Sequence, residues 1–160
     1  MDKEKFTTAT DKYKNMVYRI ALNYLRVPSD ADDVVQDAFL KLYTYKKEFE
    51  SEEHMRNWLI RVSANICKNA LRSPWRKKRA EYDDLMSVTY FDTHEQSELY
   101  KQVMNLSEKY RVTLYLFYYE EMSVSDIAKV LKISQTSVTT RLSRARQLLK
   151  KEIEKEKSYV

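Results

Sequence analysis

The chain has 160 residues, of which 33% are charged and 43% hydrophobic, and its formal net charge is +5. It contains no glycine, which excludes P-loops, dinucleotide-binding turns and nucleophile elbows, because each needs glycine where the backbone has positive φ or approaches a ligand. The single cysteine cannot form an internal disulfide, and the two histidines are too far apart in the sequence to resemble a metal site. Neither a metal nor a cofactor is therefore expected.

Tight β-hairpins also depend on glycine, so a β-rich fold is disfavoured and an all-α fold is predicted. Residues 1–14 are charged and do not resemble a signal peptide. No segment approaches the ~18 consecutive apolar residues of a membrane span. We therefore expect a cytoplasmic protein that is not inserted in a membrane.

Three helices are predicted in the N-terminal half from the spacing of apolar residues. The first covers residues 5–25 and ends at Val27-Pro28, because a residue that precedes proline disfavours helix. Ser29 is expected to cap the second helix. The third ends at Ser73-Pro74. Its predicted buried stripe consists of Met55, Leu59, Val62 and Ile66.

Residues 74–94 lack sustained periodicity and are predicted to be a flexible linker that carries the basic cluster Arg76 to Arg79. A second helical unit follows, and Ser107 is expected to cap one of its helices. The residues of that helix predicted to face inward are Val112, Tyr115, Leu116 and Tyr119. The sequence thus predicts two small helical domains, 5–73 and 95–154, joined by the linker 74–94.

Residues 123–149 have the pattern of a helix-turn-helix. Ser123 precedes a short helix and is followed three residues later by an acid, which is the spacing of a capping box. Lys132-Ile133-Ser134 forms the predicted turn, and Ser134 can cap the second helix. Lys132 occupies a place where many such motifs have glycine, so any positive φ there would carry a modest strain cost.

The second helix of this motif has no acidic residue between Ser134 and Lys151. Its polar side carries small hydroxyls, which allow close approach to a groove, and arginines, which reach phosphates or guanine edges. The candidate DNA contacts are Ser134, Thr136, Ser137, Thr139, Thr140, Arg141, Ser143, Arg144 and Arg146. A plain helical hairpin with a solvated basic face is the alternative.

In the N-terminal half, aromatic side chains alternate with cations and amides. Single-stranded nucleic acid requires such a composition, with ring faces for stacking and cations for the backbone. The candidates are Tyr45, Lys47, Phe49, Arg56, Asn57, Trp58, Arg61, Asn65, Lys68 and Arg72. The residues alone leave open whether Phe49 and Trp58 are stacking platforms or core residues.

Two pairs of segments resemble a known family. Residues 30–41 (DADDVVQDAFLK) and 57–65 (NWLIRVSAN) resemble conserved domain 2 of the bacterial RNA polymerase sigma factors of the sigma-70 family. Residues 123–128 (SVSDIA) and 137–146 (SVTTRLSRAR) are similar to domain 4 of the same family. A chain with only these two domains and a short linker resembles the extracytoplasmic-function (ECF) group.

The resemblance implies a non-enzymatic subunit that binds the β′ and β subunits of core RNA polymerase, recognises the −35 and −10 promoter elements and promotes melting. It also implies that the second helix of the N-terminal half docks on the β′ coiled coil. The residues expected to do so are Asp32, Asp33, Val34, Gln36, Asp37, Phe39 and Lys41. The aromatic and basic set would hold the melted −10 element, and the C-terminal helix would read the −35 element. An anti-sigma factor is a candidate partner.

Two other functions are weighed against this one. A conventional helix-turn-helix regulator would bind duplex DNA without polymerase, usually as a dimer, but no heptad seam of the needed length is visible. A nucleic-acid enzyme would need a metal cluster, a nucleophile with its base, or a phosphate loop, and the sequence offers none of these.

Overall fold

The computed structural model describes residues 1–74 and 95–158, and within these ranges the chain forms seven α-helices and no β-strand. The chain divides into two compact units, Met1–Ser87 and Val88–Val160. The predicted all-α fold is confirmed. Apart from its first residue, the predicted linker 74–94 lies outside the described residues, as does its basic cluster. No helix in the described ranges is both long enough and apolar enough to span a membrane.

The N-terminal unit contains α1 (Lys3–Leu25), α2 (Pro28–Tyr43) and α3 (Glu52–Arg72). The carboxylate of Asp2 caps α1 by accepting hydrogen bonds from two backbone N–H groups of its first turn, at 2.8 and 3.1 Å. The Ser51 hydroxyl caps α3 by accepting from the N–H of His54 at 3.0 Å. Helix α1 is followed by Arg26 at its C-cap, whose φ of 65° is left-handed.

The predicted cap of α2 is wrong by two residues. Helix α2 begins at Pro28, and Val27 occupies the N-cap position without a side-chain hydrogen bond. Proline suits the first helical position because its φ is already helical and its missing N–H would have had no partner there. Ser29 therefore lies inside the first turn and does not cap the helix.

The three helices of this unit pack against one another in all pairs. Fully buried side chains from each of them form the core, among them Val17, Ile20, Leu42, Leu59 and Ile60. Helix α3 thus contacts two neighbours, and a wide part of its surface is buried.

The predicted stripe of α3 is correct only at Leu59. The buried residues of α3 are Leu59, Ile60, Ser63, Ala64 and Cys67, whereas Met55, Val62 and Ile66 are half-buried. The spacing of large apolar residues missed this face because Ser63 and Ala64 are small. The Ser63 hydroxyl is satisfied inside the core, since it donates to the Leu59 carbonyl at 2.6 Å.

A three-membered contact ties α1 to the start of α3. The Lys12 ammonium pairs with Glu52 Oε2, and the Tyr13 hydroxyl donates to the same oxygen at 3.0 Å. The Lys12 hydrogen bond, followed by that of Tyr13, holds the pKa of the Glu52 carboxyl below its usual range. Burial, with the Glu52 contact added, raises the pKa of Tyr13.

The C-terminal unit contains α4 (Glu95–Asn105), α5 (Glu108–Leu114), a π-helical turn (Tyr115–Tyr119), α6 (Val124–Leu131) and α7 (Gln135–Ser158). Helix α7 packs against α4, α5 and α6. Arg111 is buried, and its guanidinium donates to the Leu106 carbonyl just beyond α4. A cation at this end of a helix complements the exposed carbonyl groups there.

Ser107 stands at the N-cap of α5 as predicted, but its side chain makes no capping hydrogen bond. Val112 and Leu116 face inward, whereas Tyr119, predicted to do so, is 57% exposed. The reason is the π-helical turn, in which the N–H of Glu120 donates to the carbonyl of Tyr115, five residues earlier, at 3.1 Å. A wider turn displaces the following residues from the positions that α-helical spacing predicts.

The predicted helix-turn-helix is present as α6 and α7. Ser123 Oγ accepts from the Asp126 N–H at 3.1 Å, and Ser134 Oγ accepts from the Ser137 N–H at 3.0 Å. Lys132 is left-handed, with φ 56° and ψ 46°, so the strain cost of a positive φ without glycine applies here. The inward faces of the two helices meet through Ile127, Leu131, Val138, Leu142 and Ala145, all buried.

We predict that Glu52→Gln weakens the N-terminal unit slightly at neutral pH. Since the folded state lowers the pKa of this carboxyl, its contribution is present above the pKa of unfolded glutamate, ~4.3, and is lost as the pH falls through the lower folded value. The difference in free energy of unfolding between wild type and variant should therefore shrink as the pH falls below 4. Urea unfolding can be followed by the fluorescence of the chain's two tryptophans.

The exposed neighbour Glu53 provides the matched control, because Glu53→Gln removes a charge from the same helical turn. An equal effect of the two substitutions at every pH would mean that the contact with Lys12 and Tyr13 contributes nothing specific.

Candidate functional site

The outer side of α2 carries an acidic face, defined by Asp32, Asp33, Gln36 and Asp37, with Lys41 one turn beyond. All five side chains are exposed. Within residues 1–74 and 95–158, no group of three or more His, Cys, Asp or Glu is arranged to hold a metal ion. A row of exposed carboxylates attracts a basic surface over several ångströms.

Two residues predicted to contact polymerase cannot do so directly. Val34 and Phe39 are only 3% and 5% exposed, because they lie on the side of α2 that packs into the three-helix core. Conversely, Leu40 is 63% exposed and was not predicted as a contact. Its position, three residues after Asp37 and four after Gln36, places it on the acidic face, so helical spacing could have identified it.

Three aromatic rings form a cluster at the start of α3. Tyr45 stacks on Phe49 with ring centroids 4.9 Å apart, and the Trp58 ring lies 4.8 Å from Tyr45 and 5.5 Å from Phe49. His54 fastens the loop before α3, because its Nδ1 accepts from the Glu50 N–H at 3.0 Å and its ring meets Phe49 edge-on. The three clustered rings are half-buried, so they are neither fully core nor fully free.

A polar stripe continues from this cluster along α3. At about 100° per residue, Asn57, Arg61, Asn65, Lys68 and Arg72 fall within an arc of about 80°. Three of them are exposed, and Asn57 and Lys68 are half-buried. Lys47 is exposed and Arg56 half-buried, both close to the cluster in sequence. The predicted set thus comprises ring faces beside a row of cations and amides.

The side chain of Asn57 carries a buried hydrogen-bond acceptor that has no donor in the described part of the chain. Among the described residues, its Oδ1 is the buried side-chain polar atom that accepts no hydrogen bond. A buried acceptor without a donor costs about 1–3 kcal/mol, and native structures usually avoid it. An unpaired acceptor on the helix that carries Trp58 can take a donor from a ligand.

The exposed side of α7 carries the predicted hydroxyls and arginines. Thr136, Thr139, Ser143 and Arg144 are exposed, while Ser137, Thr140 and Arg141 are half-buried. The Thr139 hydroxyl donates to the Thr136 carbonyl at 2.9 Å. Ser134 is engaged on both sides, because its hydroxyl accepts the capping N–H and donates to Ser137 Oγ at 2.9 Å. Ser134 therefore sets the start of α7.

Arg146 is held by a residue that the sequence did not indicate. Its Nε donates to the Tyr118 hydroxyl at 2.6 Å, and its guanidinium lies 5.5 Å from the Tyr118 ring centroid and 5.8 Å from that of Phe117. Tyr118 precedes Arg146 by 28 residues, so no local pattern could have paired them.

Comparisons with known proteins agree with this arrangement. The family model of sigma-70 region 2 matches residues 10–77, and that of sigma-70 region 4 matches residues 96–149. The first match contains the acidic face, the aromatic cluster and the polar stripe. The second contains the helix-turn-helix. Region 2 would be unexplained in a regulator that acts without polymerase, so that alternative is not supported.

Curated relatives are similar over nearly their whole length. The ECF RNA polymerase sigma factor SigW of Bacillus subtilis is 25% identical, with 95% of this chain and 90% of the relative covered. The ECF RNA polymerase sigma-E factor of Haemophilus influenzae is 29% identical, with 96% of this chain and 89% of the relative covered.

Solved structures share the fold. The sigma factor RpoE of Bartonella quintana, solved with the anti-sigma factor NepR, gives a TM-score of 0.73 at 20% identity and covers 94% of this chain and 98% of its own. CnrH, solved with the cytosolic domain of CnrY, gives 0.63 at 22% identity and covers 96% and 90%. Models of sigma-70 regions 2 and 4 match one chain, and the ECF relatives are matched over about nine tenths of their length. The protein therefore belongs to the sigma-70 family as an ECF sigma factor, the class that directs RNA polymerase to specific promoters for transcription initiation.

Proposed function

We propose that this ECF sigma factor binds core RNA polymerase through the acidic face of α2 and promoter DNA through two further surfaces. The aromatic cluster and the polar stripe of α3 hold the melted −10 element, and the exposed side of α7 reads the −35 element. One observation carries the proposal: a single chain of this family presents both an acidic helix face and an acid-free helix-turn-helix face.

The acidic face has the anatomy of a protein-binding surface. An exposed leucine, Leu40, lies beside Gln36 and Asp37, and Asp33 lies one further turn back. In protein–protein interfaces, most of the affinity usually comes from a few central apolar side chains that are buried on binding, surrounded by a polar rim. We assign the exposed residues to contact with the β′ coiled coil, and Val34 and Phe39 to support of the helix from beneath.

The aromatic cluster suits a base that has left the stack. An extruded base stacks on a ring face and presents its polar edge to nearby side chains. The free acceptor Asn57 Oδ1 would then receive an amino or imino hydrogen of the base, which removes its desolvation cost. The cations Arg61, Lys68 and Arg72 follow the strand and neutralise its phosphates.

The exposed side of α7 suits a major groove. Thr139, Thr140, Ser143 and Arg144 are assigned to base edges, because hydroxyls and arginine distinguish base pairs there. Arg141 and Arg146 are assigned to phosphates. Ser134 positions the first turn of the helix and is not assigned to a base contact, since its hydroxyl already caps the helix.

The domain limits that we propose are 5–73 for polymerase and −10 binding and 95–154 for −35 binding, with 74–94 as the connection. The chain itself catalyses no reaction, because the polymerase makes the RNA. It acts in the cytoplasm, where polymerase and DNA are found. RpoE of Bartonella quintana was solved with an anti-sigma factor, and we infer that a protein of that class restrains this chain as well.

We predict that charge reversal at Asp32, Asp33 and Asp37 prevents binding to core RNA polymerase, because the reversed face repels the surface that the carboxylates attract. The triple lysine variant should lose at least tenfold in affinity in a pull-down with purified core enzyme. Charge reversal at the exposed Asp11 of α1 is the matched control and should leave binding unchanged. Equal binding by the triple variant and the wild type would contradict the assignment of this face.

We predict that Asn57→Ala impairs promoter melting without destabilising the fold. Truncation removes a buried acceptor that has no donor among the described residues, so the free energy of unfolding should not fall. A lost base contact should cost about 1–3 kcal/mol in open-complex formation, which permanganate footprinting of holoenzyme complexes measures.

The exposed Asn15 of α1 supplies a matched control, and Asn15→Ala should melt promoters normally. Normal melting by Asn57→Ala would remove this residue from the −10 site. A large loss of stability would instead indicate a structural role.

We predict that Arg144→Ala weakens holoenzyme binding to the −35 element by about 1–3 kcal/mol if the side chain reads a base. Promoters recovered by run-off transcription from genomic fragments provide the DNA. The loss should disappear on fragments whose −35 element has been replaced. Lys151→Ala, an exposed cation on the same helix, is the control. An equal loss on every DNA sequence would assign Arg144 to a phosphate.

A further inference from the structure

One contact of the C-terminal unit joins an exposed aromatic turn to the DNA-facing helix. Tyr118, in the π-helical turn, accepts the Nε hydrogen of Arg146 at 2.6 Å. Tyr118 is 56% exposed and Arg146 is also exposed, so the contact buries little of either residue. A tyrosine hydroxyl bonded to an arginine at the surface is not explained by core packing.

The π-helical turn holds Tyr118 in place. The Glu120 N–H donates to the Tyr115 carbonyl at 3.1 Å, and the Tyr115 hydroxyl donates to Glu120 Oε1 at 2.6 Å. The rings of Tyr115 and Tyr119 stack 5.2 Å apart on either side of this turn. Single π-helical turns occur often at functional positions, because they cost backbone stability and orient side chains differently from an α-helix.

The contact leaves the outer end of the guanidinium available. An arginine has five N–H donors in a planar fork, and Nε supplies one of them. Within the described residues, neither terminal nitrogen of Arg146 makes a hydrogen bond. The rings of Phe117 and Tyr118 lie within 6 Å of the guanidinium and favour its charge, so its plane is oriented before any ligand arrives.

We infer that Tyr118 is a positioning residue for −35 binding: it holds Arg146 by Nε and presents both terminal nitrogens to a DNA phosphate. This inference rests on the proposed role of Arg146. Phosphate is recognised well by two parallel N–H donors, and a side chain already ordered loses less freedom on binding. Tyr118 itself does not contact DNA.

The test uses holoenzyme assembled from the full chain and core RNA polymerase, with promoter fragments recovered by run-off transcription. Tyr118→Phe removes the hydroxyl and keeps the ring. We expect it to weaken promoter binding roughly fivefold. We also expect the slope of log affinity against log salt to fall by up to about one unit, because a phosphate contact is weakened. Tyr119→Phe, a similarly exposed tyrosine of the same turn, should change neither quantity.

Arg146→Ala distinguishes failure of the inference from failure of the proposed function. If Arg146→Ala lowers affinity and slope while Tyr118→Phe does not, Arg146 keeps its role and the positioning inference is overturned. If Arg146→Ala changes neither, the phosphate assignment fails and the inference fails with it. In the Arg146→Ala background, Tyr118→Phe should have no further effect, and an undiminished effect would contradict action through Arg146.

Hydrogen exchange of the Arg146 Nε–H in the free protein provides a readout that does not depend on DNA. NMR should detect faster exchange in Tyr118→Phe than in the wild type, since the hydroxyl acceptor is gone. Unchanged exchange would show that the hydrogen bond does not persist in solution and would overturn the inference.

Discussion

The structure depends on how its helices begin and end in a chain without glycine. Side-chain oxygens cap α3 and α7, with Ser51 before α3 and Ser134 before α7. Positions with left-handed backbone are usually occupied by glycine, and among the described residues they are occupied by Arg26, Glu121 and Lys132. Each such residue costs about 1–2 kcal/mol in backbone energy, which the packing on both sides of the turn must offset. Short, defined connections then fix where each functional helix starts.

Because each helix buries one side, its other side is free to bind. In α2, Val34 and Phe39 are buried in the core, whereas the acidic side chains and Leu40 are exposed. In α7 the core takes Val138 and Leu142, and the hydroxyls and arginines remain outside. The same packing that stabilises each unit thus orients the surface that we propose for binding, so we expect a core substitution to affect binding indirectly, through the position of the helix.

The two surfaces that we propose for nucleic acid differ in their chemistry. The α3 surface combines half-buried rings with an unsatisfied acceptor, Asn57 Oδ1, which suits an unstacked base better than a duplex. The exposed side of α7 lacks acids between Ser134 and Lys151 and carries short hydroxyls, which suits the major groove of a duplex. A protein that holds melted DNA at one element and double-stranded DNA at another requires both kinds of surface.

The sequence alone predicted the helices and the helix-turn-helix with its caps at Ser123 and Ser134, because these features depend on residues within about four positions of one another. It could not predict which side of α3 is buried, since two neighbouring helices decide that and small residues such as Ser63 take part. Nor could it predict the free acceptor of Asn57 or the contact between Tyr118 and Arg146. Burial and long-range hydrogen bonds depend on elements that are distant in the chain, and only the tertiary structure brings them together.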